Sequence, residues 1–298
     1  MDRLDAMRVF VGVAEQSSFS AAARRLRLSP AAASRAIAMI EDELGVSLFN
    51  RTTRTVRLTE RGTVYVEQCK RILAEIDDAA RLARGESAEP RGQLAITAPI
   101  TFGRLHVLPV IEKLLAAHPK LIVRLMLSDR NVHMIDEGID IAVRIGELAD
   151  SALVAVKIGE VQRVLVASPK YLAARGTPET PAALRQHAII VFEGIGVGNE
   201  WRFGAAGKTS VQVEPRLSVN SADAAIAAAS NGLGITRALS YQVADAVKLR
   251  RLQIVLQDFA PAPQPISLVY PAGRISSANI AAFLGAARDH FRRPANRM

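Results

Sequence analysis

Between Ser29 and Gly45 the sequence marks one helix at both ends and gives it two unlike faces. Ser29-Pro30 supplies an N-cap hydroxyl and then a proline at the first helical position, where no N–H is missed. Gly45 suits the left-handed residue that follows a last turn. Ala33, Ile37, Ile40 and Leu44 form an apolar stripe, while Ala31, Ser34, Arg35 and Ala38 point the other way. A helix over Pro30–Leu44 must bury the first face and leave the second free.

The partners for that buried face lie just upstream. Leu4, Met7, Phe10, Val11 and Ala14 recur at helical spacing and predict a helix over about 3–16, ended by Ser17-Ser18. Ser20 is expected to cap a short Ala-rich helix, Ala21-Ala22-Ala23-Arg24-Arg25-Leu26, and Arg27-Leu28 makes the turn. A short helix, a tight turn and a second helix with a small, polar, basic outer face form a helix-turn-helix. Small side chains let the second helix approach a groove closely, and Ser34 and Arg35 can reach phosphates or base edges. Val56 and Leu58 then alternate with Thr55 and Arg57 as in a short strand, with Arg51, Thr52, Thr53 and Arg54 at the tip of a β-ribbon. Arginines on such a wing can meet phosphates or enter a minor groove. Arg24 and Arg25 fit a solvated surface as well as they fit DNA.

Thr59 is placed to cap a further helix from Glu60 to about Arg84. Along it Tyr65, Cys69, Ile72, Ile76, Ala79 and Ala83 repeat in heptad fashion. Such a seam suits pairing with a second copy, with Cys69 inside it as a small structural residue rather than a redox sensor. Glu86 to Gly92 is polar with Pro and Gly and reads as a hinge.

From Gln93 the pattern becomes one of alternating strands and helices. Strands are expected at Leu94–Ala98, Ile122–Leu127, Ile139–Arg144, Val161–Ala167, Ala188–Phe192, Val211–Val219 and Ile266–Tyr270. Helices are expected at Phe102–Ala117, near Val132–Glu137, at Ser221–Ser230 and at Ser276–Phe291. The fold class is therefore an N-terminal all-α winged helix-turn-helix with a linker helix, then an α/β domain with mostly parallel sheets.

The residues from Phe19 to Leu26, Leu28-Ser29-Pro30-Ala31-Ala32-Ala33-Ser34-Arg35, Glu41-Asp42-Glu43-Leu44-Gly45, Asn50-Arg51-Thr52-Thr53-Arg54 and Leu58-Thr59-Glu60-Arg61-Gly62 resemble the LysR-type transcriptional regulators. The likeness continues more loosely through Gly92-Gln93-Leu94, Ser168-Pro169-Lys170-Tyr171-Leu172 and Asn231-Gly232-Leu233-Gly234-Ile235. One departure is that many members carry Gln-Pro where this chain has Pro30-Ala31.

The resemblance implies three parts: a DNA-binding domain over 1–59, a dimerising linker and hinge over 60–91, and a periplasmic-binding-protein-like effector domain over 92–298. The effector domain would hold two subdomains, 92–161 with 266–298, and 162–265. Expected DNA contacts are Ser29, Pro30, Ala31, Ser34, Arg35, Arg51, Thr53 and Arg54. Tyr65, Cys69, Ile72 and Ile76 are expected to pair two copies into a homodimer or homotetramer. Partners are double-stranded DNA at a promoter and a small-molecule effector, with room for contact with RNA polymerase. Effector contacts are expected around Thr101, Ser128, Asn220 and Ser221, where helix N-termini favour an anion. Arg144 ends a strand and can pair either a carboxylate effector or a neighbouring Asp140 or Glu147.

Charge alone would not have led there. The net charge is +9, yet residues 1–90 hold 14 Lys/Arg against 13 Asp/Glu, so the excess sits in the C-terminal two thirds. No apolar run approaches the ~20 residues of a membrane span, and the mixed start Met1-Asp2-Arg3-Leu4-Asp5 is unlike a signal peptide. The single cysteine forms no internal disulfide. These features point to the cytoplasm. Gly194-Ile195-Gly196-Val197-Gly198 does not lead into a dinucleotide-binding helix, and no Walker loop or Gly-x-Ser-x-Gly elbow is present. The five histidines lack metal-ligand spacing. No catalytic residue, metal or cofactor is expected. An α/β enzyme with an accessory head would need an acid/base pair or nucleophile, and an exported solute-binding protein would need a leader in place of a winged head.

Overall fold

The computed structural model describes residues 1–51, 56–84, 89–130, 133–134, 137–148, 153–194, 199–272 and 277–292. The chain divides into two compact units, Met1–Gln93 and Leu94–Met298.

The first unit opens with α1 (Arg3–Gln16), α2 (Phe19–Arg25) and α3 (Pro30–Leu44). Asp2 caps α1 by accepting from the Asp5 N–H. The cap of α2 is Ser18, not Ser20, because the helix begins at Phe19, before the expected Ala21, and Ser18 Oγ accepts from Ala21 N. Ser29 caps α3 at 3.1 Å from Ala32 N, with Pro30 at the first position and Gly45 left-handed at φ 66. Arg27 takes φ 57 in the turn between α2 and α3, a conformation that costs a non-glycine residue ~1 kcal/mol or more.

Ala-rich faces let the three helices close on one another around Phe10, Val13, Ala22, Ala33, Ile37 and Ile40, all essentially inaccessible. Full burial of each isoleucine contributes about 1.5–3 kcal/mol. Leu44, expected in that stripe, is 36% exposed, since the stripe drifts off the contact in the last turn. Two ion pairs tie the helix ends, Arg25–Glu15 at 2.7 Å and Arg3–Glu43 at 2.9 Å. A two-stranded antiparallel wing follows, β1 (Phe49–Arg51) with β2 (Val56–Leu58), and then α4 (Glu60–Ala83). Phe49 inserts beside Phe10 with ring centroids 5.3 Å apart, which fixes the wing to the helical body.

The second unit runs β3 (Gly92–Ala98), α5 (Ile100–Phe102), a π-helical turn (Gly103–Val107), α6 (Leu108–Ala117), β4 (Leu121–Leu127), β5 (Ile141–Ile145) and β6 (Leu153–Val161). It continues through β7 (Arg163–Ala167), α7 (Pro169–Arg175), β8 (Ile189–Phe192), β9 (Glu200–Phe203), β10 (Thr209–Gln212) and β11 (Pro215–Val219). The remainder is α8 (Ala222–Ser230), β12 (Ile235–Leu239), α9 (Ser240–Lys248), β13 (Gln253–Val255), β14 (Gln264–Pro271) and α10 (Ala278–Arg292). Two five-stranded sheets result, ordered β4-β3-β5-β14-β6 and β11-β8-β12-β7-β13. The chain passes from the first sheet to the second between Val161 and Arg163 and returns through β14.

The sheets are mixed, not mostly parallel. β14 runs antiparallel to both β5 and β6, and β7 antiparallel to both β12 and β13. The strand that leaves a sheet and the strand that re-enters it travel in opposite senses, so pairing them makes an antiparallel ribbon; side-chain periodicity carries no sign of that direction. The predicted strand Val211–Val219 breaks into β10 and β11, and β10 pairs with β9 in a separate hairpin. Most of the helix expected near Val132–Glu137 lies outside the described residues; Met134 and Glu137 are in turns. Among the described residues no helix is long and apolar enough to cross a membrane.

Candidate nucleic-acid interface and effector cleft

α3 separates its residues as its periodicity requires. Ala33, Ala36, Ile37 and Ile40 are buried, while Ser29, Pro30, Ala31, Arg35 and Ala38 are exposed and Ser34 is half-buried. The outward side chains are small except for Arg35, so nothing holds this face away from a surface that meets it. On the wing, Thr53 and Arg54 lie outside the described residues, and only the backbone of Arg51 is placed, as the end of β1. Arg57 adds an exposed cation on β2, in register with the exposed Asn50. The Val56-Arg57-Leu58 alternation carries that signal in the sequence. Arg24 and Arg25 are both exposed, and Arg25 is engaged with Glu15 of α1 at the surface.

The linker helix corrects the expected pairing seam. Cys69 is fully inaccessible and belongs, with Val66, to the core of the helical head. Tyr65 is half-buried against Phe10, with ring centroids 5.5 Å apart. Burial pushes the Cys69 thiol up to about 11, against smaller lowering effects from Tyr65 and Arg3. The heptad reading treated this helix as free of the body, but the open side of α1 needed a cover and the first turns of α4 supply it. Tyr65 and Cys69 are thus spent within the chain. Ile72, 38% exposed, and the half-buried Ile76 lie beyond that contact.

In the second unit a cleft opens at the ends of β3, β4 and β5 on one side and at β8 and the start of α9 on the other. Ser128 and Arg144 line it, together with Asp129, Arg130, Arg163 and Tyr241. Ser128 Oγ accepts from Arg130 N at 3.2 Å, and Asp129 accepts from Ile100 N at 3.0 Å. Burial raises the Asp129 carboxyl above the ordinary range; the Ile100 bond opposes this and the nearby Asp223 adds to it. Burial lowers both Arg144 and Arg163. Burial also raises Tyr241 strongly, with smaller contributions from Asp129 and Asp223. Asp140 directs its carboxylate to Ala95 N at 2.8 Å.

The other expected effector residues are elsewhere. Thr101 is only 4% exposed and turned inward, because the helix begins at Ile100 and Asp129 already takes its first N–H. Ser221 caps α8 through Ala224 N at 3.3 Å, and neither it nor the exposed Asn220 lines the cleft. The opposite wall is built instead by Phe192, at the end of an expected strand, and by Leu239, Tyr241 and Gln242, whose strand and helix gave weak signals in sequence.

Comparison with known proteins places these features in a family. The profile described as "Bacterial regulatory helix-turn-helix protein, lysR family" matches residues 4–63, and that of the "LysR substrate binding domain" matches residues 87–292. An HTH-type transcriptional repressor of Pseudomonas aeruginosa is 32% identical over 98% of this chain and 93% of its own length. The HTH-type transcriptional activator AaeR of Escherichia coli is 32% identical over 91% of this chain and 88% of its own. Among solved structures, CrgA from Neisseria meningitidis, a LysR-type transcriptional regulator, superposes with a TM-score of 0.63 at 29% identity, covering 97% of this chain and 99% of that one.

Proposed function

Since the chain belongs to the LysR family of bacterial transcriptional regulators, with a DNA-binding head and an effector-binding domain, we propose that α3 reads promoter DNA and that an anionic effector in the cleft biases its grip. The observation that carries this reading is the exposed face of α3. Ser29, Pro30 and Ala31 bring the helix start close to the duplex, Ser34 and Arg35 reach base edges or phosphates, and the buried isoleucines behind them hold the angle of approach. Arg51, Thr53 and Arg54 of the wing, joined by Arg57, meet the flanking backbone or minor groove.

Two copies pair through the part of α4 beyond the head, with Ile72 and Ile76 in the contact, as a dimer or a dimer of dimers. Such pairing presents two heads to two half-sites. Three arginines face one carboxylate in the cleft, and this excess supports an anionic effector, with Ser128 and Arg144 among its contacts. The effector changes the relation of the two walls only through unequal affinity for the open and closed forms. The chain acts in the cytoplasm, where its promoter is, and its role is regulatory rather than catalytic.

Footprinting of the purified protein on DNA upstream of its own gene is the test. Two protected half-sites on one face of the duplex are expected. Absence of any protected site, at salt low enough for non-specific binding to be seen, refutes the assignment.

A further inference from the structure

A groove separate from the cleft lies on the second unit, between the strand β6 and the helix α10. β6 is the last strand of its sheet and is paired with β14. That pairing skips one residue: Lys157 faces Ser267 and Gly159 faces Ile266, so Ile158 has no opposite number in the ladder. A bulge of this kind bends a strand and re-aims its side chains. Ile158 and Val156 line the groove, together with the half-buried Leu284 of α10. Leu268 and Phe291, nearly inaccessible, complete the apolar lining. The rest of the lining is cationic. Lys157 is engaged with Glu160 at the surface. Arg288 and Arg292 are exposed, and neither has an ion pair or hydrogen bond among the described residues. No aspartate or glutamate lines the groove, and the exposed Asp289 lies outside it. Leu284, Arg288 and Arg292 follow one another at four-residue steps, which sets apolar floor and guanidiniums along about 12 Å of one helix face.

Exposed guanidiniums are solvated; what they offer is charge-assisted bonds to an arriving anion. The apolar lining beside them offers burial to a hydrocarbon body. Free phosphate would use the first and not the second, and a neutral hydrocarbon the second alone. A nucleic acid would lie across the arginines and leave the floor below it unused. We propose that the groove is a second ligand site, for an apolar monocarboxylate short enough to lie along α10. Its carboxylate meets Arg288 and Arg292, and its hydrocarbon covers Leu284, Val156 and Ile158. The groove and the cleft have no lining residue in common, so a ligand here is held by groups of its own.

Equilibrium dialysis of the full-length protein against hexanoate is the test, with hexanamide and acetate as the neutral and the body-less controls. Because the cleft is assigned an anion as well, Arg144→Gln is dialysed beside the natural sequence. Saturable hexanoate binding is expected in both, and binding weaker by about tenfold or more with each control. Adding Arg288→Gln and Arg292→Gln to Arg144→Gln lowers hexanoate affinity by about tenfold or more and leaves hexanamide as it was. Glutamine is as good a helix former as arginine at an exposed position, and circular dichroism establishes that the variant folds. Should it fail to do so, Arg292→Gln alone, in the last turn of α10, decides on the same contrast. No saturable binding, equal binding of the amide, or a loss in Arg144→Gln that the α10 substitutions do not produce overturns the proposal. So does dissociation of the assembly on substituting the two α10 arginines with hexanoate binding unchanged, which gives this face to a second copy. DNA binding does not enter this test, so its failure leaves the assignment of α3 standing.

Discussion

Gly62 stands so close to Leu48 that a Cβ built on it would lie 2.0 Å from the Leu48 carbonyl oxygen. Around this contact the hydrogen bonds interlock. Thr59 Oγ1 donates to the Ser47 carbonyl at 2.9 Å and accepts from Gly62 N at 2.9 Å. Glu41 of α3 accepts from Leu48 N at 2.7 Å and from Phe49 N at 3.2 Å. One carboxylate and one hydroxyl thereby join the end of α3, the first strand of the wing and the start of the linker helix.

Gly62→Ala should therefore do more damage than an ordinary helix substitution, although alanine is the better helix former. The atom it meets is backbone and cannot rotate away, so α4 must shift bodily. A loss of about 2–3 kcal/mol from the head is expected, read as an earlier first transition in urea, with a parallel loss of DNA binding. An unchanged first transition would show that the α4 contact is softer than the geometry indicates.

Arg35 and Arg57 should fail in different ways. Arg35→Ala is expected to lower affinity for the operator by roughly 1–3 kcal/mol while leaving binding to random duplex nearly unchanged, if its guanidinium meets a base edge. Arg57→Ala should weaken both and reduce the steepness of the salt dependence by about one unit in the logarithmic plot. Fluorescence anisotropy on the two duplexes over a salt series separates them. Identical behaviour of the two variants contradicts the division of labour between α3 and the wing.

Cys69 should be inert in the folded protein. Its thiol is buried within the head, and burial holds it protonated far above neutral pH. A thiol reagent is expected to label it only as fast as the head opens, and denaturant should restore rapid labelling. Fast labelling under native conditions would place Cys69 on an accessible face after all.

The parts legible in the sequence were those written in local chemistry. The Ser29-Pro30 start and Gly45 stop of α3 need only their own neighbours to be recognised, and both caps are as expected. The β6 and β14 crossing was not legible, because antiparallel pairing between strands about a hundred residues apart leaves no trace in either strand's alternation. Cys69 was misplaced for a related reason: a heptad seam and a helix that covers its own head present the same spacing, and only the open side of α1 distinguishes them. In the second unit, Ser128 and Arg144 stand at strand ends that open into the cleft, while Thr101 is buried and Ser221 caps α8. A hydroxyl at a helix start serves the helix as readily as it serves a ligand, and Asp129 had already satisfied the helix end at Ile100.

His106 gives the fold a dependence on pH that can be assigned to one ring. It sits in the π-helical turn with ring centroids 4.9 Å from Phe102, 5.6 Å from Tyr241 and 6.4 Å from Phe291, and its Nε2 is buried without a partner. Burial first, and then the charge of His290, hold its pKa below the ordinary 6.5. Above 6.5 the ring is neutral in the folded and unfolded chains alike, and pH has no purchase on it. As pH falls through 6.5 the unfolded chain takes up the proton while the folded chain does not, so stability declines until the lower, folded pKa is passed. Phenylalanine is a flat, apolar ring close in shape to neutral imidazole, so His106→Phe among Phe102, Tyr241 and Phe291 should largely keep the packing and remove this pH dependence. Urea melts at about pH 7.5 and about pH 5.5 should show a smaller decline in the variant than in the natural sequence, since the remaining titratable groups are common to both. Equal declines would mean that His106 accepts its proton in the folded state as easily as in water, and the aromatic enclosure around it would then have to be open to solvent.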